Sequence, residues 1–129
     1  MAAVRKGWID RVLVMGAVFG GELGIFDEAA LTGRRAVVLA TTGGAPSSFT
    51  PDGAFGHIDA FLFHVHRGML EFVGYDVLEP VITYGPAHLD DPARAETLDA
   101  VRHAFAGIDG RSRSGQPAVS SVAQESRNA

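Results

Sequence analysis

The order of apolar segments along the chain predicts an α/β fold built on a parallel sheet. Two observations carry this: strand-like apolar runs at residues 36–40 and 77–84, and helical apolar spacing before, between and after them. Strands separated by helices are joined by right-handed crossovers, and such crossovers make the strands parallel.

The first element is an amphipathic helix over residues 4–14, beginning almost at Met1, because Val4, Trp8 and Val12 recur about once per turn with charges between them. Residues 16–33 are glycine-rich and read as an irregular connection anchored by Phe19, Ile25, Phe26 and Leu31. Ala36-Val37-Val38-Leu39-Ala40 has the unbroken apolar character of a parallel strand covered on both faces, and it runs into the loop Thr41-Thr42-Gly43-Gly44. Beyond a turn-rich stretch, Ile58, Phe61, Leu62, Val65, Met69 and Phe72 predict a long central helix that contains Gly68 and stops at Gly74, which suits a left-handed terminator. The second strand spans residues 77–84, and Pro80 inside it has no N–H to give, as at a sheet edge or a bulge. Asp91 and Pro92 read as the N-cap and first turn of a last helix with Leu98, Val101, Phe105 and Ile108 on its apolar stripe. Residues 110–129 are rich in Ser, Arg and Gly and are expected to form a disordered tail, since they offer little apolar area against the entropy of ordering.

Composition narrows the function. The chain has 129 residues, 11 basic against 15 acidic, a formal net charge of -4 and 47% hydrophobic residues, which suits one small globular unit. Its mild, evenly spread charge implies no nucleic-acid partner. The absence of cysteine removes disulfides and thiolate chemistry, which suits a cytoplasmic setting. The most apolar N-terminal stretch is interrupted by glycines and Glu22 and falls short of the roughly 20 residues of a membrane span. No export signal is evident, because Arg5, Lys6, Asp10 and Arg11 alternate with the apolar residues around them.

Two parallel strands and three helices leave sheet faces and sheet edges to be covered by something else. Three segments point to what that is: residues 3–12 (AVRKGWIDRV), 39–44 (LATTGG) and 74–80 (GYDVLEP). In this order they resemble the NAD(P)H:quinone oxidoreductases of flavodoxin-like fold, the DT-diaphorase and modulator of drug activity group, over roughly residues 2–105. The resemblance implies a doubly wound parallel sheet of order 2-1-3-4-5, of which residues 1–109 supply the C-terminal part, about two strands and three helices. Strands one to three and the phosphate-binding turn would precede Met1, so the chain is expected to be a truncated product, the result of a mis-assigned start, or a fragment, inactive by itself. The activity implied is two-electron transfer from NAD(P)H through a flavin, FAD or alternatively FMN, to a quinone, in an enzyme that is commonly a homodimer. The other reading is a non-enzymatic remnant, or a modulatory partner of a full-length relative.

The resemblance also implies site residues. Thr41, Thr42, Gly43 and Gly44 match the loop that lies against the flavin ring, Phe49 stands at its edge, Arg94 matches an arginine on the dinucleotide part, and Asp10 matches an acidic position near the adenosine. Outside the resemblance, the glycine loop is a tight turn and the two charges are solvated helix residues. Phe49 and Phe55 stand where diaphorase-type members carry tyrosine and histidine, and a phenyl ring donates no proton. His57 lies two residues beyond that lost histidine, on a different face by helical periodicity. His64 and His66 are two apart on the central helix and diverge, which does not suit a metal, and Ser47 and Ser48 read as turn residues rather than nucleophiles. The aromatic residues Trp8, Phe61, Phe63 and Phe72 read mostly as core, with Phe63 off the main stripe.

Overall fold

Two strands organise the chain: β1 (Arg35–Thr42) and β2 (Asp76–Tyr84) pair in parallel. The computed structural model describes residues 3–114, with side chains from Lys6 onward. Helix α1 (Ala3–Val12) precedes β1, α2 (Ile58–Val65) lies in the crossover between the strands, and α3 (Asp91–Ala106) follows β2. This is the expected partial α/β arrangement of two parallel strands and three helices.

The register shows what Pro80 does. Val37 pairs with Leu78 and Leu39 with Val81, so Val38 on β1 faces both Glu79 and Pro80 on β2. That extra residue is a β-bulge, and the proline occupies the position where a ladder N–H is not needed.

The central helix is not uniform. α2 runs to Val65 and then widens into a π turn, His66–Glu71, which contains Gly68. Widening by one residue per turn re-aims the side chains, and it carries His66 to the interior at 7% exposure. Gly74 then ends the helical path at φ +104°, in the left-handed region. A Cβ at Gly74 would also sit 2.7 Å from the Thr32 backbone nitrogen, so the connection before β1 is packed directly on this turn. Main-chain bonds fix that contact: Phe26 N–H donates to the Phe72 carbonyl at 2.9 Å, and Leu31 N–H to the Val73 carbonyl at 3.1 Å. Phe19 and Phe26 meet the Phe72 ring edge-on at 5.0 and 5.5 Å, as befits anchors, whereas Ile25 is exposed.

The buried apolar residues described are Ala29, Val73, Val77 and Leu78. They cluster where the 16–33 connection, the end of the central helix and the first half of β2 meet. Elsewhere the expected burial is not found. β1 was expected to be covered on both faces, yet none of its residues is buried and Leu39 is 52% exposed. Trp8 and Phe61 were expected in the core and are exposed, Phe63 is exposed as its place off the main stripe implies, and on α3 Leu98 and Phe105 are exposed as well. The cause is common to all of them: one two-stranded layer has too little surface to cover three helices.

Two boundaries also differ from expectation. The cap of α3 is Asp90, not Asp91: its carboxylate accepts from Ala93 N–H at 2.9 Å, which places Asp91 and Pro92 in the first turn. The tail expected from residue 110 begins as ordered chain, since residues 111–114 lie antiparallel along β2 through the pair Leu78 and Arg113. Residues 115–129 of that tail lie outside the described residues.

Replacing Gly74 by alanine imposes both a disfavoured φ and a backbone collision. Gly74→Ala is expected to lower stability by about 2 kcal/mol or more, read as a fall in the urea midpoint. An unchanged midpoint would contradict this account of the turn.

Candidate functional site

Parallel strands present the loops at their carboxyl ends as a natural binding edge. Here that edge is built by residues 41–44 after β1 and by Gly85 after β2. Gly85 is left-handed at φ +56°, and its N–H donates to the Thr42 carbonyl at 2.7 Å, which ties the two strand ends together. A Cβ on Gly85 would come within 3.9 Å of the Gly44 carbonyl oxygen. The Thr42 hydroxyl donates to the Gly44 carbonyl at 3.0 Å and sets the turn.

Residues 45–56 fold back over this edge. Pro46–Phe49 form a short 3-10 turn, and Phe55 N–H donates to the Ser48 carbonyl at 2.9 Å. The return is close because Gly53 lies on the Ser47–Ser48 backbone: a Cβ there would be 2.6 Å from the Ser47 carbonyl oxygen. Phe49 is thereby placed among three other rings, with centroids 5.2 Å from Phe55, 5.7 Å from Tyr84 and 5.9 Å from Phe61.

Gly43, Gly44, Phe49, Phe55 and Phe61 line a shallow cavity of about 470 Å³. A Cβ at Gly44 would approach Phe49 to 3.2 Å and Phe55 to 3.5 Å, so a side chain there would crowd the pocket. No lining residue carries an ionisable group, and the walls offer aromatic faces and glycine backbone. Such a surface holds a flat, conjugated ring by stacking and close backbone approach. It does not itself supply a proton.

Of the residues expected to bind a cofactor, Thr41, Thr42, Gly43, Gly44 and Phe49 come together at this edge. Arg94 lies in the first turn of α3 with its guanidinium on the Leu89 carbonyl at 3.0 Å. Asp10 is exposed on α1 and paired with Lys6 at 2.5 Å. Neither is bonded to the loop among the described residues. His57 does not enter the pocket wall; it caps α2, where its Nδ1 accepts from Asp59 N–H at 3.3 Å. Gly53 and Gly85 shape the site and were not anticipated, although the Gly-Pro pair at residues 85 and 86 was a readable turn signal.

The model of the flavodoxin-like fold family matches residues 1–105. The chain belongs to that family. Among curated proteins, it is 34% identical over 96 residues to NAD(P)H dehydrogenase [quinone] 1 of Cavia porcellus, covering 74% of this chain and 34% of that protein. It is 41% identical over 83 residues to ribosyldihydronicotinamide dehydrogenase [quinone] of Mus musculus, covering 64% and 36%. It is 33% identical over 103 residues to an FMN-dependent NADH:quinone oxidoreductase of Acidobacterium capsulatum, covering 80% and 45%. A solved structure of a candidate quinone reductase from Klebsiella pneumoniae superposes with a TM-score of 0.76 at 29% identity, over 88% of this chain and 46% of that one. The chain thus spans about a third of the length of the first two of these relatives. No helix among the described residues is long and apolar enough to cross a membrane.

Gly53→Ala would drive a methyl into the Ser47 carbonyl and push apart the loop that seats Phe49. Tyr84 reports this directly, since its ring touches Phe49: a changed near-ultraviolet circular dichroism signal and a loss of about 1–3 kcal/mol in chemical unfolding are expected. An unchanged spectrum and stability would show that the loop does not pack this way.

Proposed function

We propose that the chain supplies the carboxyl-edge part of the flavin site of an NAD(P)H:quinone oxidoreductase. One observation carries the reading: the glycine-edged aromatic pocket at the end of β1 lies inside the segment shared with quinone dehydrogenases. Residues 41–44 would approach the flavin ring through main chain, Phe49 would pack on its edge, and Arg94 and Asp10 would serve the more distant dinucleotide end. FAD is the flavin proposed, with FMN as the alternative that the Acidobacterium relative supports. The flavin, when bound, supplies the two-electron chemistry between NAD(P)H and a quinone.

The chain's own residues contribute stacking, orientation and exclusion of water. Phe49, Phe55 and Phe61 have no exchangeable proton, so the proton that accompanies quinone reduction would come from solvent or from a residue beyond this pocket. A tyrosine-histidine relay is not part of this reading. The outer edge of β1, unpaired among the described residues, bears on how the site is completed: residues 36–42 bring no charge or proline to block strand addition, so a further parallel strand would fit there. In the complete enzyme we propose a homodimer.

The same open edge favours a second reading, a chain that binds no flavin itself and acts only when paired with a full-length relative. Visible absorbance of the purified chain, before and after adding FAD or FMN, separates the two. Bound flavin is expected under the first reading, with Phe49→Ala weakening its retention about tenfold through loss of one aromatic contact. A chain that takes up neither flavin even when supplied with the N-terminal half of a relative would overturn the first reading and support the second.

A further inference from the structure

The sheet has two outer edges, and the fold treats them differently. Along β2, residues 111–114 form an antiparallel strap. Glu79 N–H donates to the Ser112 carbonyl at 2.9 Å, and Ser114 N–H donates to the Val77 carbonyl at 2.7 Å. At the bulge, the Arg111 guanidinium donates to the Glu79 and Pro80 carbonyls at 2.6 and 2.7 Å. Arg113 pairs with Asp76 at 2.7 Å. Main-chain groups of an edge strand that would otherwise await a partner are therefore occupied by the chain itself.

One side-chain contact joins this strap to the helical layer: His66 Nδ1 and Ser114 Oγ lie 2.8 Å apart. His66 is buried, and among the described residues its Nε2 has no hydrogen-bond partner. For a neutral ring the favourable arrangement places the proton on Nδ1, donating to Ser114, and leaves Nε2 as an unmet acceptor, which is better tolerated than a buried N–H without an acceptor. A charged ring carries N–H on both nitrogens, and the second meets no acceptor among the described residues.

We propose that residues 111–114 are an acid-released guard of the outer edge of β2, with the contact between His66 and Ser114 as its latch. Uptake of a proton at Nε2 drives the His66 ring toward solvent, breaks its bond to Ser114 and opens the Val77, Glu79 and Pro80 main-chain groups to solvent. The surroundings set the balance. Burial lowers the His66 pKa from its ordinary value, and this outweighs the opposing charges of Asp59 on α2, Glu71 on the π turn and Glu79 on β2. The strap's own cations, Arg111 and Arg113, are committed to carbonyls and to Asp76.

The sign follows from linkage. Above the ordinary histidine range the ring is neutral whether the strap is docked or free, and docking is unaffected by pH. Below it the released ring takes up a proton that the docked ring resists, so docking weakens as pH falls, until the lowered docked value is passed. This inference does not depend on the flavin reading.

The test is amide hydrogen exchange of the full chain, expressed as protection relative to the intrinsic rate at each pH. The Glu79 amide is expected to be protected at pH 7.5 and to lose protection by pH 5.5, by at most about tenfold, while His66→Gln flattens that dependence. No protection at pH 7.5, no loss on acidification, or the same loss in His66→Gln would each overturn the proposal. If His66→Gln does not dock, the ring signals of His66 in the unmodified chain decide. They are expected to titrate below the ordinary histidine range, toward the lower end of the fall in Glu79 protection, and titration at or above the ordinary range would also overturn it.

Discussion

Each strand of a parallel pair uses one row of its main-chain groups for its partner and leaves the other row facing away. Everything distinctive in this chain follows from how those two outer rows are met. On β2, the bulge at Pro80 interrupts the ladder, and the strap at residues 111–114 supplies the missing donors and acceptors, including a guanidinium clamped on two carbonyls. On β1 nothing among the described residues does the same. The asymmetry is chemical as well as geometric: β2 is guarded by arginine and serine, while β1 offers an apolar run with Leu39 in the open.

The parallel pairing also creates the candidate site. Both strands end at the same level, so the loops after them can be bonded to each other, as Gly85 is to Thr42, and a ligand edge appears without dedicated side chains. What the following loop adds is aromatic. Phe49 is held against Phe55, Phe61 and Tyr84 by a backbone return that only glycine permits at residue 53. A site of this composition selects by shape and polarizability, which agrees with a cofactor that carries its own redox chemistry.

How much of this was legible in the sequence depended on the range of the interaction. Gly74 as a terminator, Pro80 at a bulge and the strand ending in the glycine loop are local signals, and each has its counterpart in the backbone. The widening at His66 was not legible, because helical periodicity alone does not distinguish an α turn from a π turn over so few residues. The strap was misread as tail for a different reason: Arg111 finds its acceptors 31 and 32 residues earlier, at carbonyls that no composition rule announces. Gly53 belongs with it, since its need to be glycine arises from main chain folded back from residues 47 and 48. Burial was overstated for Trp8, Phe61 and β1, because an apolar pattern records which face prefers cover and not whether cover is present.

That last distinction bears on what these exposed residues do. Scattered single apolar side chains on a surface need no explanation, but here they fall on all three helices and on the central residue of β1. The buried set of Ala29, Val73, Val77 and Leu78 holds together one corner, where the connection before β1 meets the end of the central helix and β2. A strand added along β1 would occupy main-chain groups that have no partner among the described residues. Strand addition at β2 would first have to displace Arg111, Ser112 and Ser114 from bonds already made. The outer edge of β2 is thus already bonded within the chain, while among the described residues that of β1, the strand whose carboxyl end carries the aromatic pocket, is not.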